Sequence, residues 1–386
     1  MYSELIKKMA SVGLTIPHIL FPREGIDLTR FSCIAADQFT QDLAYWEKVK
    51  EFVGSAPSTY NLVFPEAELE KLFSDNKVYA DGEIFKRVTT INANMDNYIR
   101  DGIYEDIGEC FIYVKRNIRG KVRHGLLVAI DLTKYDYNKG AKSLIRATEL
   151  TVKERLTVRK KIRKNARLDL PHIQVLINDK NNKLFDYIEN IKFEKALYDF
   201  DLMFDSGNIK GYKISDENDF NNIADILDEL KKEAPDGLLY AVGDGNHSLA
   251  AAKDVYENIG RGRYALVELI NIYDEGLDFY PIHRLVMGVS KEAFTKVTGI
   301  DPKNPPPLQE LQKVLDSYNY KIDYIHGKEE CLEFGEKPGY VAITYDKFSY
   351  ETLFTDVINN GALCRKSFSM GEAKDKRFYL EAQKII

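Results

Sequence analysis

The chain has 386 residues, 44% hydrophobic and 12% aromatic, enough to fill one large or two ordinary packed domains. With 54 Lys and Arg against 60 Asp and Glu, the formal charge is −6, so nothing attracts nucleic acid or anionic membrane generally and any anion site is local. The cysteines Cys33, Cys110, Cys331 and Cys364 form neither a CxxC pair nor a framework spacing, which sets aside a zinc ribbon and a disulfide scaffold.

The opening stretch MYSELIKKMASVGL lacks a signal-peptide core, and no apolar run approaches membrane-spanning length; a cytoplasmic protein without membrane partners is expected. Residues 41–53 and 65–74 read as helices, the second with Pro65 in its first turn and Leu69, Leu72 and Phe73 at helical spacing. Glu109 to Arg116 and Val122 to Asp131 read as a hairpin around Arg119-Gly120. Ser143 to Arg167 is expected to be a long basic helix, with Pro171 marking the exit into a strand, His172 to Ile177. Lys195 to Met203 and Ile209 to Ile214 form a second expected hairpin. Phe220, Ile223, Ala224, Leu227 and Leu230 then mark one face of an amphipathic helix.

Next comes LLYAVGDGNHSLAAAKDVY, from Leu238 to Tyr256: a buried strand, a glycine-rich turn and a helix running to Asn258, followed by a β-rich run, Tyr264 to Tyr273. If both strands lie parallel in one sheet, this is a βαβ-like unit with its turn at a strand's carboxyl end. The proline run 301–307 is the best linker. The expected organisation is an N-terminal α+β part (1–135), a central α/β part (136–300) and a C-terminal part (301–386) packed on the body and closed by a charged segment, Ser367 to Ile386. The fold class is mixed α/β (α+β), with mixed sheets around the strand-turn-helix-strand unit.

The turn Gly243-Asp244-Gly245-Asn246-His247-Ser248 gathers backbone N–H groups, a carboxylate, an amide, an imidazole and a hydroxyl at a helix start, the place where anions bind. The same residues are ordinary turn formers and helix caps, so a purely structural role stands beside the functional one. The pattern lacks the third glycine of a dinucleotide fingerprint, and Walker A, HExxH and GxSxG motifs are absent. A second cluster is His283-Arg284, where Arg offers the forked donors that phosphate or carboxylate needs, or else a satisfied pair at a strand end. A third is Arg146, Glu149 and Lys153, sharing one face of the expected helix, with Arg155 beyond them. The run Arg159 to Lys164 reads as a solvated helix face or as a polyanion contact.

With these clusters the chain resembles the bacterial and archaeal family called domain of unknown function 1015. The resemblance is carried by Ala35-Ala36-Asp37-Gln38-Phe39, by Arg146-Ala-Thr-Glu149-Leu-Thr, by Val242 to Ser248, by Asp274 to Leu277 and Pro281 to Arg284, and by Phe368 to Tyr379. Its turn is similar to the DGHHR-type box of ParB-like and sulfiredoxin-like proteins, a wider group that includes partition proteins and an archaeal ADP-dependent serine kinase. In that group the box helps to bind phosphates, so the resemblance implies a ParB/sulfiredoxin-like element here. Asp244 and His247 keep the box, whereas Asn246 stands for its usual first His and Ser248 for its usual Arg. The missing charge would have to come from Arg284 or from a basic residue between Arg146 and Arg155.

The expected function is an enzyme that binds a small phosphorylated ligand or nucleotide and transfers or hydrolyses its phosphoryl group. A serine or phosphoserine substrate is implied by the resemblance alone. His247 or Glu149 would be the general acid or base, and Asp244 would orient His247 or hold Mg²⁺. Gly245, Asn246 and Ser248, with His283, Arg284, Arg146 and Arg155, would hold the phosphate. A non-catalytic nucleotide-binding or DNA-binding regulator is the second reading, although nucleic acid is not the expected partner. A metal-dependent hydrolase using His172, His247, His283 and an acid is the third. A homo-oligomer is compatible with all three.

Overall fold

The run Leu126-Leu127-Val128-Ala129-Ile130 is apolar at every position, as a strand covered on both faces requires. In the computed structural model, which describes residues 2–75, 77–151 and 156–386, this run lies inside a ten-stranded mixed sheet. Its strands are β1 (Leu14–Thr15), β2 (Phe111–Ile118), β3 (Lys121–Asp131), β4 (Tyr135–Asp136), β5 (Ile145–Ala147), β6 (Gln174–Ile177), β7 (Tyr198–Asp201), β8 (Asn208–Ile214), β9 (Tyr240–Asp244) and β10 (Tyr264–Asn271). They are ordered β7-β8-β2-β3-β10-β6-β9-β5-β4, with β1 also paired to β3. Arg119 and Gly120 between β2 and β3 both have positive φ (50° and 83°), which the tight turn of a twisted two-residue hairpin demands.

Helices cover both faces. Leu127 and Ala129 pack with Trp46 of α1 (Leu43–Val53), and with α2 (Glu66–Asp75) and α3 (Lys77–Arg100) that layer forms one core. Leu126, Val128 and Ile130 face the opposite core, where Phe220, Ile223, Ala224 and Leu227 of α5 (Glu217–Glu233) pack as their spacing predicts. α5 begins at Asp216, whose carboxylate accepts from the Asn218 N–H.

Two expectations are corrected. Ser143 to Arg167 is not one helix: Ile145–Ala147 is β5, pairing parallel with Tyr240–Val242, and the helix α4 is confined to Thr157–Asn165. A three-residue strand carries no readable period, and its pairing with β9 overrides the helix propensity of the flanking sequence. The shared helical face of Arg146 and Glu149 therefore does not exist. Lys153 and Arg155 lie outside the described residues. The βαβ reading also changes, because β6 lies between β9 and β10, antiparallel to the first and parallel to the second. The strands flanking the turn share one sheet but run in opposite directions.

The C-terminal part adds a three-stranded sheet in which His283–Met287 is flanked by Lys321–Ile325 and Tyr340–Ile343. Phe294, Ile300, Leu311 and Val341 share one small core across the proline run 301–307. The closing segment, charged in sequence, is largely buried: Phe378, Tyr379, Leu380 and Ala382 enter the core with α1 and α3. Among the described residues no helix is long and apolar enough to cross a membrane.

Candidate functional site

β9 ends in a bulge opposite Gln174, between Val242 and Asp244, which re-aims Asp244 away from the regular ladder. The helix α6 (Asn246–Ile259) starts immediately after Gly245, whose φ of 81° explains why glycine is needed there. The other glycine serves packing: a Cβ on Gly243 would come within 2.2 Å of the Met370 sulfur. The C-terminal segment therefore lies directly against the turn, and it delivers one of the residues that sequence reading missed. Lys376, almost fully buried, places its Nζ 3.4 Å from the Asp244 carboxylate.

Beside the first turn of α6 is a cavity of about 160 Å³. Ser248 and Ala251 of α6 form part of its wall, with Val158, Arg159 and Ile162 of α4, Phe64 and Leu69 near α2, and Tyr379. Its walls are mainly apolar, and Asp37 and His172 add a polar edge. His172 Nε2 is 4.0 Å from Asp37 Oδ2, its ring stands edge-on to Tyr379 at 5.4 Å, and its Nδ1 is buried with no hydrogen-bond partner among the described residues. Burial alone would raise the Asp37 carboxyl, but His172, Arg159, the Gln38 amide and Lys376 together hold it below the usual carboxylate range. Asp37 is thus a carboxylate at neutral pH, with Arg159 and Lys376 among the groups that hold it there.

The residues picked from sequence divide into those at this site and those that hold it together. Asp244, Gly245, His247 and Ser248 are at the start of α6, with His247 and Ser248 partly exposed. Asn246 is buried, and its amide is fully engaged: Oδ1 accepts from Thr148 N–H at 3.2 Å, while Nδ2 donates to Val242 O at 3.2 Å and Thr148 Oγ1 at 3.3 Å. It ties β5 to the turn. Asn246→Ala is expected to reduce stability by about 1–3 kcal/mol, the scale of buried groups left unsatisfied, in urea melts. Its affinity for inorganic phosphate should stay within about threefold of wild type, because no free donor is removed.

Arg146 turns away from the site and pairs with Asp236 at 2.9 Å. Arg284 is fully buried and donates to Gln312, Ile282 O, Lys366 O and Arg365 O. Glu149 accepts from the N–H groups of Lys366 and Ser367 at 3.1 and 2.9 Å, and burial pushes its carboxyl up. Arg284 and Glu149 thus grip one loop, Cys364 to Ser367, from two sides. His283 accepts from Tyr345 N–H through Nδ1, and burial pushes its imidazole down, toward the neutral form. Arg155 lies outside the described residues. The basic run on α4 faces acids: Arg159 pairs with Glu66, Lys160 with Asp254, Lys161 with Asp81 and Arg163 with Asp169. No three His, Cys, Asp or Glu side chains converge as metal ligands among the described residues.

A family model described as "Protein of unknown function (DUF1015)" matches residues 20–312, well over half of the chain, and the chain belongs to that family. Nothing among curated proteins matches it. Among solved structures it is similar to a conserved hypothetical protein from Pyrococcus furiosus, with 15% identity over 68% of this chain and 95% of that one and a TM-score of 0.35. It is also similar to a free serine kinase in complex with AMP, with 13% identity over 69% of this chain and 94% of that one and a TM-score of 0.38. A third likeness is to SbnI from Staphylococcus aureus with a C-terminal truncation, with 13% identity over 64% of this chain and 82% of that one and a TM-score of 0.35.

Proposed function

We propose that this member of the family is an enzyme that holds a small phosphorylated ligand at the start of α6 and transfers or hydrolyses its phosphoryl group. The observation that carries the reading is the placement of Lys376, buried beside Asp244 at the end of β9 and next to the first turn of α6. A fixed ammonium and the positive end of a fourteen-residue helix supply the charge neutralisation that phosphoryl transfer chiefly requires. Lys376 thus takes the part that the missing box arginine would have played.

The 160 Å³ cavity suits the non-phosphate part of the ligand. In the same measure a 150 Å³ apolar cavity accepts benzene, so one planar ring system fits. Asp37 and His172 are the acid–base pair of the reading, with His247 as a second proton carrier on the turn. Their 4.0 Å separation is longer than a hydrogen bond, and such contacts tighten when substrate binds. Asp37 would hold the ring through Nε2 and stabilise its protonated form, leaving Nδ1 to exchange the proton of the attacking hydroxyl or water. Asp244 is paired with Lys376, and the reading gives it the role of holding that ammonium in place.

The test is calorimetric titration with inorganic phosphate, AMP, ADP and phosphoserine, with and without Mg²⁺, followed by a phosphoryl-transfer assay with the ligands that bind. Binding of at least one that survives EDTA is expected. Asp37→Asn should lower turnover by about 100-fold or more while leaving affinity nearly unchanged, the range for loss of acid–base assistance. Absence of binding by all four ligands would sink the proposal.

A further inference from the structure

We propose that the loop Cys364–Ser367 is an anion-binding loop, and that the ligand of the neighbouring site carries a second anionic group, a carboxylate or another phosphate, seated on Arg365 and Lys366. The inference rests on the reading above, and it lies in a segment beyond the residues matched by the family model.

Lys366 has φ of 58°, a backbone conformation that long L side chains seldom adopt. Such a conformation persists only when its surroundings over-determine it, and they do so here. Both Glu149 oxygens take backbone N–H groups from one side, at Lys366 and Ser367. From the other, Arg284 donates to the carbonyls of Lys366 at 2.8 Å and Arg365 at 3.2 Å, with its own Nε fixed on Gln312 at 2.9 Å. Buried Arg284 and half-buried Glu149 therefore fix one short loop in a strained shape.

The loop presents two cationic side chains, Arg365 and Lys366, for which no ion pair forms among the described residues. Lys366 is partly exposed. Arg365 stacks over the Tyr324 ring at 4.9 Å, and its Nε has no hydrogen-bond partner among the described residues. Glu149 spends both oxygens on the loop's backbone N–H groups rather than on the Arg365 or Lys366 side chains. Thr148 donates to Asn246 of the turn and accepts from the Leu363 N–H, while its neighbour Glu149 holds Lys366 and Ser367, so the loop lies beside the turn. One small molecule with two anionic groups would engage Lys376 with the first and the loop with the second.

The experiment compares three probes by calorimetry on the full chain: ethyl phosphate with one anionic group, phosphoglycolate with a phosphate and a carboxylate, and methylenediphosphonate with two phosphonates. Wild type should bind phosphoglycolate or methylenediphosphonate at least about tenfold more tightly than ethyl phosphate, and whichever is favoured identifies the second group. Lys366→Met should erase that margin while leaving ethyl phosphate within about threefold. Arg365→Gln carries the same comparison if Lys366→Met does not fold. Equal affinity for all three probes in wild type, or a variant that weakens all three alike, overturns the inference while the phosphate reading stands. Failure of all three to bind overturns the inference, whereas the phosphate reading falls only if inorganic phosphate, AMP, ADP and phosphoserine fail as well.

Discussion

Arg377→Met is expected to lower the free energy of unfolding by about 3–5 kcal/mol, the range for removing one partner of a buried ion pair. Arg377 is 2% exposed; it pairs with Glu268 and Glu381 at 2.6 Å each and donates to Pro171 O at 3.2 Å. Methionine keeps much of the stem's volume but leaves two buried carboxylates without their main partner. Arg123, at 3.8 Å from Glu268, compensates only in part. Burial alone would raise the Glu268 carboxyl, but Arg377, Arg123 and Arg116 hold it below the ordinary range. In wild type this group therefore contributes stability above its unfolded pKa, and that contribution is lost as pH falls through the lower folded pKa. In the variant the largest lowering influence is gone and burial raises the folded pKa, so protonation relieves the unpaired charge. The gap between wild type and variant in urea midpoints should be widest near neutral pH and shrink toward pH 4. A gap under about 1 kcal/mol, or one independent of pH, contradicts this account of the network. Adding Glu268→Gln to the variant should recover part of the loss.

Much of the fold is written in local patterns. The amphipathic spacing of α5, the Arg119-Gly120 hairpin and the strand-turn-helix around Gly245 all appear where periodicity and turn chemistry place them. β5 was illegible because three residues show no period, and the order of β9, β6 and β10 depends on pairings that no local pattern encodes. The turn was legible as a strand-to-helix junction, but the contacts of its individual residues were not. Asn246 and Gly243 look like ligand contacts in sequence, whereas an inter-strand tie and a close approach by Met370 account for them. Arg284 stood out for its forked donors and Glu149 as an acid on an expected helix face, and the structure turns both toward the backbone of one loop. The residues missed are Asp37, in a short polar stretch, and Lys376, within a charge-rich segment that reads as solvated. What hid Lys376 is that the segment's apolar residues, Phe378 to Leu380, carry their charged neighbours into the interior with them.

Lys376→Met should weaken inorganic phosphate binding by about 10–100-fold, the scale of a hydrogen bond to a charged group, and reduce phosphoryl transfer by about 100–1,000-fold. The turnover effect should exceed the affinity effect because charge grows on the transferring group in the transition state, where a preorganised cation matters most. Stability should change little, because Asp244 keeps 21% of its side-chain surface exposed and can hydrate once its partner is gone. This is the opposite of the outcome at Arg377, one residue along the chain, whose carboxylate partners are both buried. The contrast makes the pair diagnostic: Lys376 is turned to the mouth of the turn and Arg377 to the sheet's interior, so function and stability separate between adjacent residues. Lys376→Arg should rescue incompletely, since a planar fork does not occupy the place of a compact ammonium. A Lys376→Met protein that binds phosphate as wild type does would remove the observation on which the functional reading stands. One that unfolds like Arg377→Met would make Lys376 a structural cation instead.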